Sequence, residues 1–206
     1  MKLYVYDHCP FSMRPRLIAG INTLPVEICV LRISDDTTAH SLVGKKVVPI
    51  LEKDDGSCMT ESLDIALYLD ALGSHKLSDT SINSDFETLR DAFLKDYVGL
   101  TSPCFIHSCR EFQSDSDINR YQQREEAFLE ESFNDLKNHV EARKSHIENC
   151  ICSFIPFITS SDPSDSLTAT ELVLFPYLHH LKTQVNVTLA QPLLKFWQNL
   201  SPNIPV

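Results

Sequence analysis

With 206 residues, 43% of them hydrophobic, the chain can bury a core in one large domain or two small ones, and no apolar run approaches the roughly 18 residues that a bilayer span requires. A formal charge of −10 argues against nonspecific binding to nucleic acid or anionic lipid and leaves only local capture of a small anion. Seven cysteines is an odd number, so they cannot all pair within one chain; disulfides are not the framework, and a reducing compartment is expected.

The chain opens "MKLYVYDHCP" and runs directly into a strand pattern, without the charged segment, apolar stretch and cleavage site of a secretory signal, so the expected address is the cytoplasm. "KLYVYD" and "VEICVL" are short β-branched and aromatic runs, and "PFSMRPRLIAGINTL" between them has the length and apolar spacing of a helix. That is a βαβ unit. A weaker helical segment around "TTAHSLVG" leads to "VVPILEKDDGSCMTE", where two strand-like pieces flank the turn signal Asp54-Asp55-Gly56. "ESLDIALYLDAL" turns helical again and stops at Gly73.

Residues 73–83 are mostly small and polar, as linkers tend to be. Beyond them Phe86, Leu89, Phe93, Tyr97 and Leu100 repeat at helical intervals, and Phe128, Leu129, Phe133, Leu136 and Val140 form a second stripe; both read as core. In "LTATELVLFPYL", Thr168 and Glu171 have the spacing of a capping box, with Leu167 and Leu172 as its hydrophobic staple. The expectation is therefore a βαβ-ββα domain over 1–72, a linker over 73–83 and an all-helical domain over 84–206.

Cys104 with Cys109, and Cys150 with Cys152, share their half of the chain with His107, His139, His146, His179 and His180, which invites a metal reading. Five residues on a helix separate two side chains by about 140°, and neither spacing is a zinc pattern, so no metal is expected.

Chemistry concentrates in "DHCPFSM". A cysteine after a strand and at the mouth of a helix sits where free amides and the helix dipole favour negative charge. Pro10 suits the first helical position and leaves the amides of Phe11 and Ser12 to point at sulfur, so Cys9 is expected to have a lowered pKa. Alone, C-x-x-S is weak, because a cysteine after a strand is often merely buried. Pro49 in "VVP" can adopt a cis bond that turns the preceding backbone outward as an edge for an extended peptide, or can be an ordinary strand-starting proline. "TES" at 60–62 can be a plain cap, or can place the Ser62 hydroxyl on a carboxylate and Glu61 on an ammonium group. Together these supply a thiolate, a backbone edge and an amino-acid clamp: a glutathione site.

On "MKLYVYDHCPF", "KKVVPILEKDDG", "ESLDIALYLD" and "TATELVLFPYLHHL", the chain resembles the bacterial two-domain glutaredoxins of the glutaredoxin 2 type, which are built like glutathione transferases. The likeness spans nearly the whole chain, loosely between about 75 and 160. It implies a thioredoxin-like domain followed by a helical bundle, with Cys9 as the attacking thiol. It further implies that the Val48 backbone before cis-Pro49 pairs with glutathione, that Glu61 and Ser62 hold its γ-glutamyl end, that Lys45 meets a carboxylate, and that Tyr6 and Phe11 line the site. His8 is expected to be partly exposed, without a proton-transfer role.

Two departures matter. The family pattern is C-P-[FY]-C, whereas the fourth residue here is Ser12, which closes the dithiol route. Pro15 falls within the predicted helix and is expected to distort its first turn. The reading is a monomeric enzyme that reduces glutathione mixed disulfides of proteins or small molecules, with glutathione as co-substrate. Its rivals are a glutathione transferase activated by Ser12 or Tyr6, a noncatalytic binding scaffold, and a carrier of an iron–sulfur cluster bridged by Cys9 of two subunits and two glutathiones, as in single-thiol glutaredoxins of another type.

Overall fold

The computed structural model describes residues 1–74, 77–160 and 166–205. The first half is a four-stranded sheet in the order β2-β1-β3-β4. Strand β1 (Lys2–Val5) is central and lies parallel to β2 (Glu27–Val30), with helix α1 (Pro10–Ile21) as the crossover. After a short helix α2 (Thr38–Val43), β3 (Ile50–Glu52) returns antiparallel to β1 and turns at Asp54-Asp55-Gly56 into β4 (Cys58–Met59). Helix α3 (Ser62–Leu72) follows. β1 alternates as its pattern demands, with Leu3 and Val5 buried, and α1 packs against α3.

Pro15 does not break α1. The Met13 amide closes the first turn on the Cys9 carbonyl at 3.2 Å, so the distortion expected there is absent and the helix runs on to Ile21. Gly20 allows the chain's end to lie close: a Cβ there would fall 1.5 Å from the Asn203 carbonyl oxygen.

Within the expected linker, β5 (Leu77–Asp79) forms a second, parallel sheet with β6 (Leu167–Thr168); His75 and Lys76 of that segment lie outside the described residues. The second half is otherwise helical: α4 (Ser84–Ser108), α5 (Asp115–Leu129), α6 (Phe133–Asn138), α7 (Val140–Cys150), α8 (Ala169–Gln184) and α9 (Gln191–Leu200), with short 3-10 turns. The first predicted stripe belongs to α4, with Phe86, Phe93, Tyr97 and Leu100 buried. The second divides among three helices, because Glu130 takes a left-handed conformation that ends α5, and Phe128 is left exposed.

Helix α8 is buried along most of its length and packs against both α1 and α4, joining the two halves. Its capping box is formed: Thr168 Oγ1 accepts the Glu171 amide and Glu171 accepts the Thr168 amide, with Leu167 and Leu172 buried beside them. His180 lies in the core with Nδ1 2.6 Å from the Tyr97 hydroxyl, and burial lowers its pKa to about 3. Burial likewise lowers His179 to about 4. Among the described residues, no group of three or more His, Cys, Asp or Glu side chains could hold a metal, and no helix is long and apolar enough to cross a membrane.

Candidate active site

Cys9 stands between the end of β1 and the first turn of α1, in an extended conformation (φ −83°, ψ 116°), with Pro10 at the first helical position. This is the N-cap position, and the first-turn groups turn toward sulfur. The Ser12 hydroxyl, the amides of Ser12 and Phe11, and the charge of Arg14 all favour the thiolate. Burial acts the other way and prevails, pushing the Cys9 thiol above its ordinary value. The expected lowering is thus corrected. The donors are those foreseen, but the walls around the sulfur, among them Tyr6, His8 and Phe105, withhold the water a thiolate needs.

The turn before Cys9 is held from the other half of the molecule. Glu111, just beyond α4 and fully buried, accepts the amides of Asp7 and His8 at 3.1 and 2.9 Å. His8, expected to be partly exposed, is 7% exposed; its Nδ1 lies 2.5 Å from Glu111 and its ring stacks on Tyr6. Asp7 receives Arg16 at 2.9 Å and Arg110 at 2.7 Å; burial would raise its carboxyl, but the two guanidinium groups hold it below the ordinary range. Tyr6 sits just past β1, and burial raises its hydroxyl to about 12, so it is a neutral donor at physiological pH.

A cavity of about 610 Å³ opens beside Cys9, between the sheet domain and helices α4 and α5. Tyr6, Cys9, Pro10, Phe11 and Val48 line it from the first half, and Leu94, Val98, Phe105 and Tyr121 from the second. Lys46 and Arg120, both ion-paired with Asp36, and Arg124, paired with Glu125, complete the lining. The Val48–Pro49 peptide is cis, as expected, and among the described residues no hydrogen bond engages the Val48 amide or carbonyl.

The remaining predicted residues lie at the start of α3 or near it. Ser62 is the first residue of that helix and is buried, its hydroxyl accepting Arg14 Nη1 at 3.1 Å. Glu61 has a positive φ of 68°, strained for a residue with a side chain, and its exposed carboxylate lies 4.0 Å from Lys45 Nζ. Pro49 and Ser12 are buried. The structure therefore divides the predicted set between the cavity wall and the start of α3. Arg14, bonded to Ser62 and facing Cys9 electrostatically, bridges the two groups. Sequence reasoning missed it, although two arginines within the apolar "PFSMRPRLIAGI" signal buried charge. Glu111 carried no local signal, because its partners are 103 and 104 residues away.

All seven cysteines are free thiols. Cys29 lies on β2 and Cys58 on β4, the two edges of the sheet, and burial pushes both thiols up.

A thioredoxin-like sheet domain with a cysteine at a helix mouth, followed by a helical domain closing a cleft over it, defines the glutathione-transferase-like class. Residues 3–76 match the family model "Glutathione S-transferase, N-terminal domain". Glutaredoxin 2 of Escherichia coli K12 is 31% identical over 205 residues, covering 98% of this chain and 94% of that protein. The structure of glutaredoxin 2 from Salmonella typhimurium in complex with glutathione superposes with a TM-score of 0.88 at 28% identity, over 98% of this chain and 94% of that one. Maleylacetoacetate isomerase from Methylobacterium extorquens, at a TM-score of 0.59 and 14% identity over 100% and 96% of the two chains, shares the fold alone. The chain belongs to the glutaredoxin 2 family and is a glutathione-dependent thiol-disulfide oxidoreductase.

Proposed function

We propose that the protein reduces glutathione mixed disulfides through one thiol. Cys9 attacks the glutathione sulfur of a glutathionylated protein or small molecule; the mixed disulfide breaks, the substrate leaves as its thiol, and glutathione remains bonded to Cys9. A second glutathione, as thiolate, attacks that bond, leaves as oxidised glutathione and restores Cys9. The net reaction converts one mixed disulfide and one glutathione into a free thiol and glutathione disulfide.

The observation that carries this reading is Ser12, a hydroxyl facing the sulfur of Cys9 where a dithiol enzyme has its resolving cysteine. The open Val48 backbone suits the cysteine of glutathione, Glu61 and Ser62 suit its γ-glutamyl end, and Lys45 suits a carboxylate. Tyr6, Pro10 and Phe11 border the cavity, which gives the leaving group room. In this reading residues 1–72 supply the thiol and the glutathione site, residues 84–206 supply the far wall, and 73–83 join them. The protein acts as a monomer in the cytoplasm, where seven free thiols are at home.

Incubation with a glutathionylated peptide and glutathione should release the peptide thiol. Cys9→Ser should abolish release, whereas Cys29→Ser and Cys58→Ser should spare it. Full activity in Cys9→Ser would sink the assignment.

A further inference from the structure

Among the described residues, Arg14 carries a charge into the interior without a carboxylate to meet it. Its side chain lies under Phe11, with Cζ 4.5 Å from the ring centroid, donates to Ser62 Oγ at 3.1 Å and borders the Tyr177 hydroxyl of α8; the residue is 5% exposed. Its Nε is buried with no hydrogen-bond partner. Among the described residues it has no ion-pair partner, whereas Arg16, buried to a similar degree, has Asp7 at 2.9 Å. The charged and titratable groups facing Arg14 are Cys9 and Tyr177, which favour its charge, and Arg90 of α4, which opposes it. Arg90 is itself paired with Glu87 and Asp91.

A buried cation without a counter-ion is strongly unfavourable, and it is tolerated where an anion arrives from outside. The position of Arg14 says where that anion docks. Besides the Tyr177 hydroxyl, its guanidinium bonds to Ser62, the first residue of α3, where the free amides of an eleven-residue helix favour negative charge. A helix mouth and an uncompensated guanidinium thus converge on one hydroxyl.

We propose that Arg14 is the fixed cation of the γ-glutamyl subsite. It orients the Ser62 hydroxyl, and its charge is neutralised when the α-carboxylate of the γ-glutamyl group docks at the start of α3. The inference rests on the reading of Glu61 and Ser62 as the clamp for that group. Arg14 acts through Ser62 and through its field, and is a positioning residue.

The test uses S-methylglutathione, whose blocked thiol cannot turn over, and the analogue with 4-aminobutyryl in place of γ-glutamyl, which lacks only the α-carboxylate. Both are titrated calorimetrically into wild type, Arg14→Met and Arg14→Lys. Wild type should bind S-methylglutathione about 10- to 100-fold more tightly than the analogue. In Arg14→Met the preference should fall to about threefold or less through weaker binding of S-methylglutathione alone, and Arg14→Lys should recover part of it. In wild-type protein the Arg14 Nε–H resonance should shift with S-methylglutathione and stay in place with the analogue, a readout that requires no variant to fold. Equal binding of the two ligands by wild type overturns the clamp itself. A wild type that discriminates, combined with an Arg14→Met that discriminates equally or an Nε–H resonance indifferent to the carboxylate, leaves the clamp standing and overturns the role of Arg14.

Discussion

Ser12 determines which chemistry Cys9 can perform. Restoring a thiol by Ser12→Cys places a partner one helical turn from Cys9, so the variant should form an internal disulfide and gain reduction of disulfides that carry no glutathione. The parent should show only background on those substrates, with both proteins acting on a glutathionylated peptide. A parent that already reduces them efficiently would mean that another cysteine resolves Cys9. Burial holds the thiol above its ordinary value while Ser12 pulls it down, so the thiolate fraction grows as pH rises through and beyond neutrality. Alkylation of Cys9 by iodoacetamide should therefore accelerate with pH, with a midpoint above the roughly 8.5 of a free thiol. Ser12→Ala, which removes a donor to the thiolate, should move the curve further up. A midpoint below about 7 would contradict the dominance of burial.

At the scale of elements, α8 depends on its first turn. Glu171 accepts the Thr168 amide and hydroxyl and also reaches back to the amides of Thr159 and Ser160 at 2.8 and 2.9 Å. Thr168→Ala should cost about 1 kcal/mol, and Glu171→Ala about 2–3 kcal/mol, since it leaves several partly buried amides without an acceptor. Urea unfolding checks this: the midpoint should fall with an unchanged slope. An equal cost for the two would mean that the box acts only through Thr168. This motif was legible because its partners are three residues apart. The stripe Phe128–Val140 misled for the same reason: helical spacing does not reveal that Glu130 turns left-handed and starts new helices, leaving Phe128 exposed.

Across the whole molecule, buried carboxylates of the helical half fasten the loops of the sheet half. Asp117 accepts the Ser34 amide at 2.7 Å and Arg32 at 2.9 Å, and although burial would raise its carboxyl, these partners hold it well below the ordinary range. In the opposite sense, Asp36, a half-exposed carboxylate of the sheet half, bonds to Arg120 of α5 as well as to Lys46 and is lowered to about 2. A carboxyl depressed in the folded state contributes stability that is complete above its unfolded pKa of about 4 and is lost as pH falls through the folded value. Asp117→Asn should therefore lower the urea midpoint near neutral pH, and the gap from wild type should begin to close as pH falls below about 4 and go on closing as pH falls through the depressed folded value. A gap that stays constant in acid would show that Asp117 contributes packing and not charge.

What the sequence by itself determined is local: the βαβ and ββα order, the cysteine at the helix mouth, the serine that withholds a second thiol and the capping box all rest on residues within one or two turns of each other, whereas Pro49 was left open between a cis bond and an ordinary strand start until the fold made it cis. The sign of the Cys9 shift, the burial of His8, the grip of Glu111 and the uncompensated charge of Arg14 were decided only by the tertiary structure. Each depends on how much water the opposite half of the chain removes and which partner it brings from a hundred residues away. Desolvation and long-range pairing are properties of the assembled fold, with no period or spacing in the sequence to announce them.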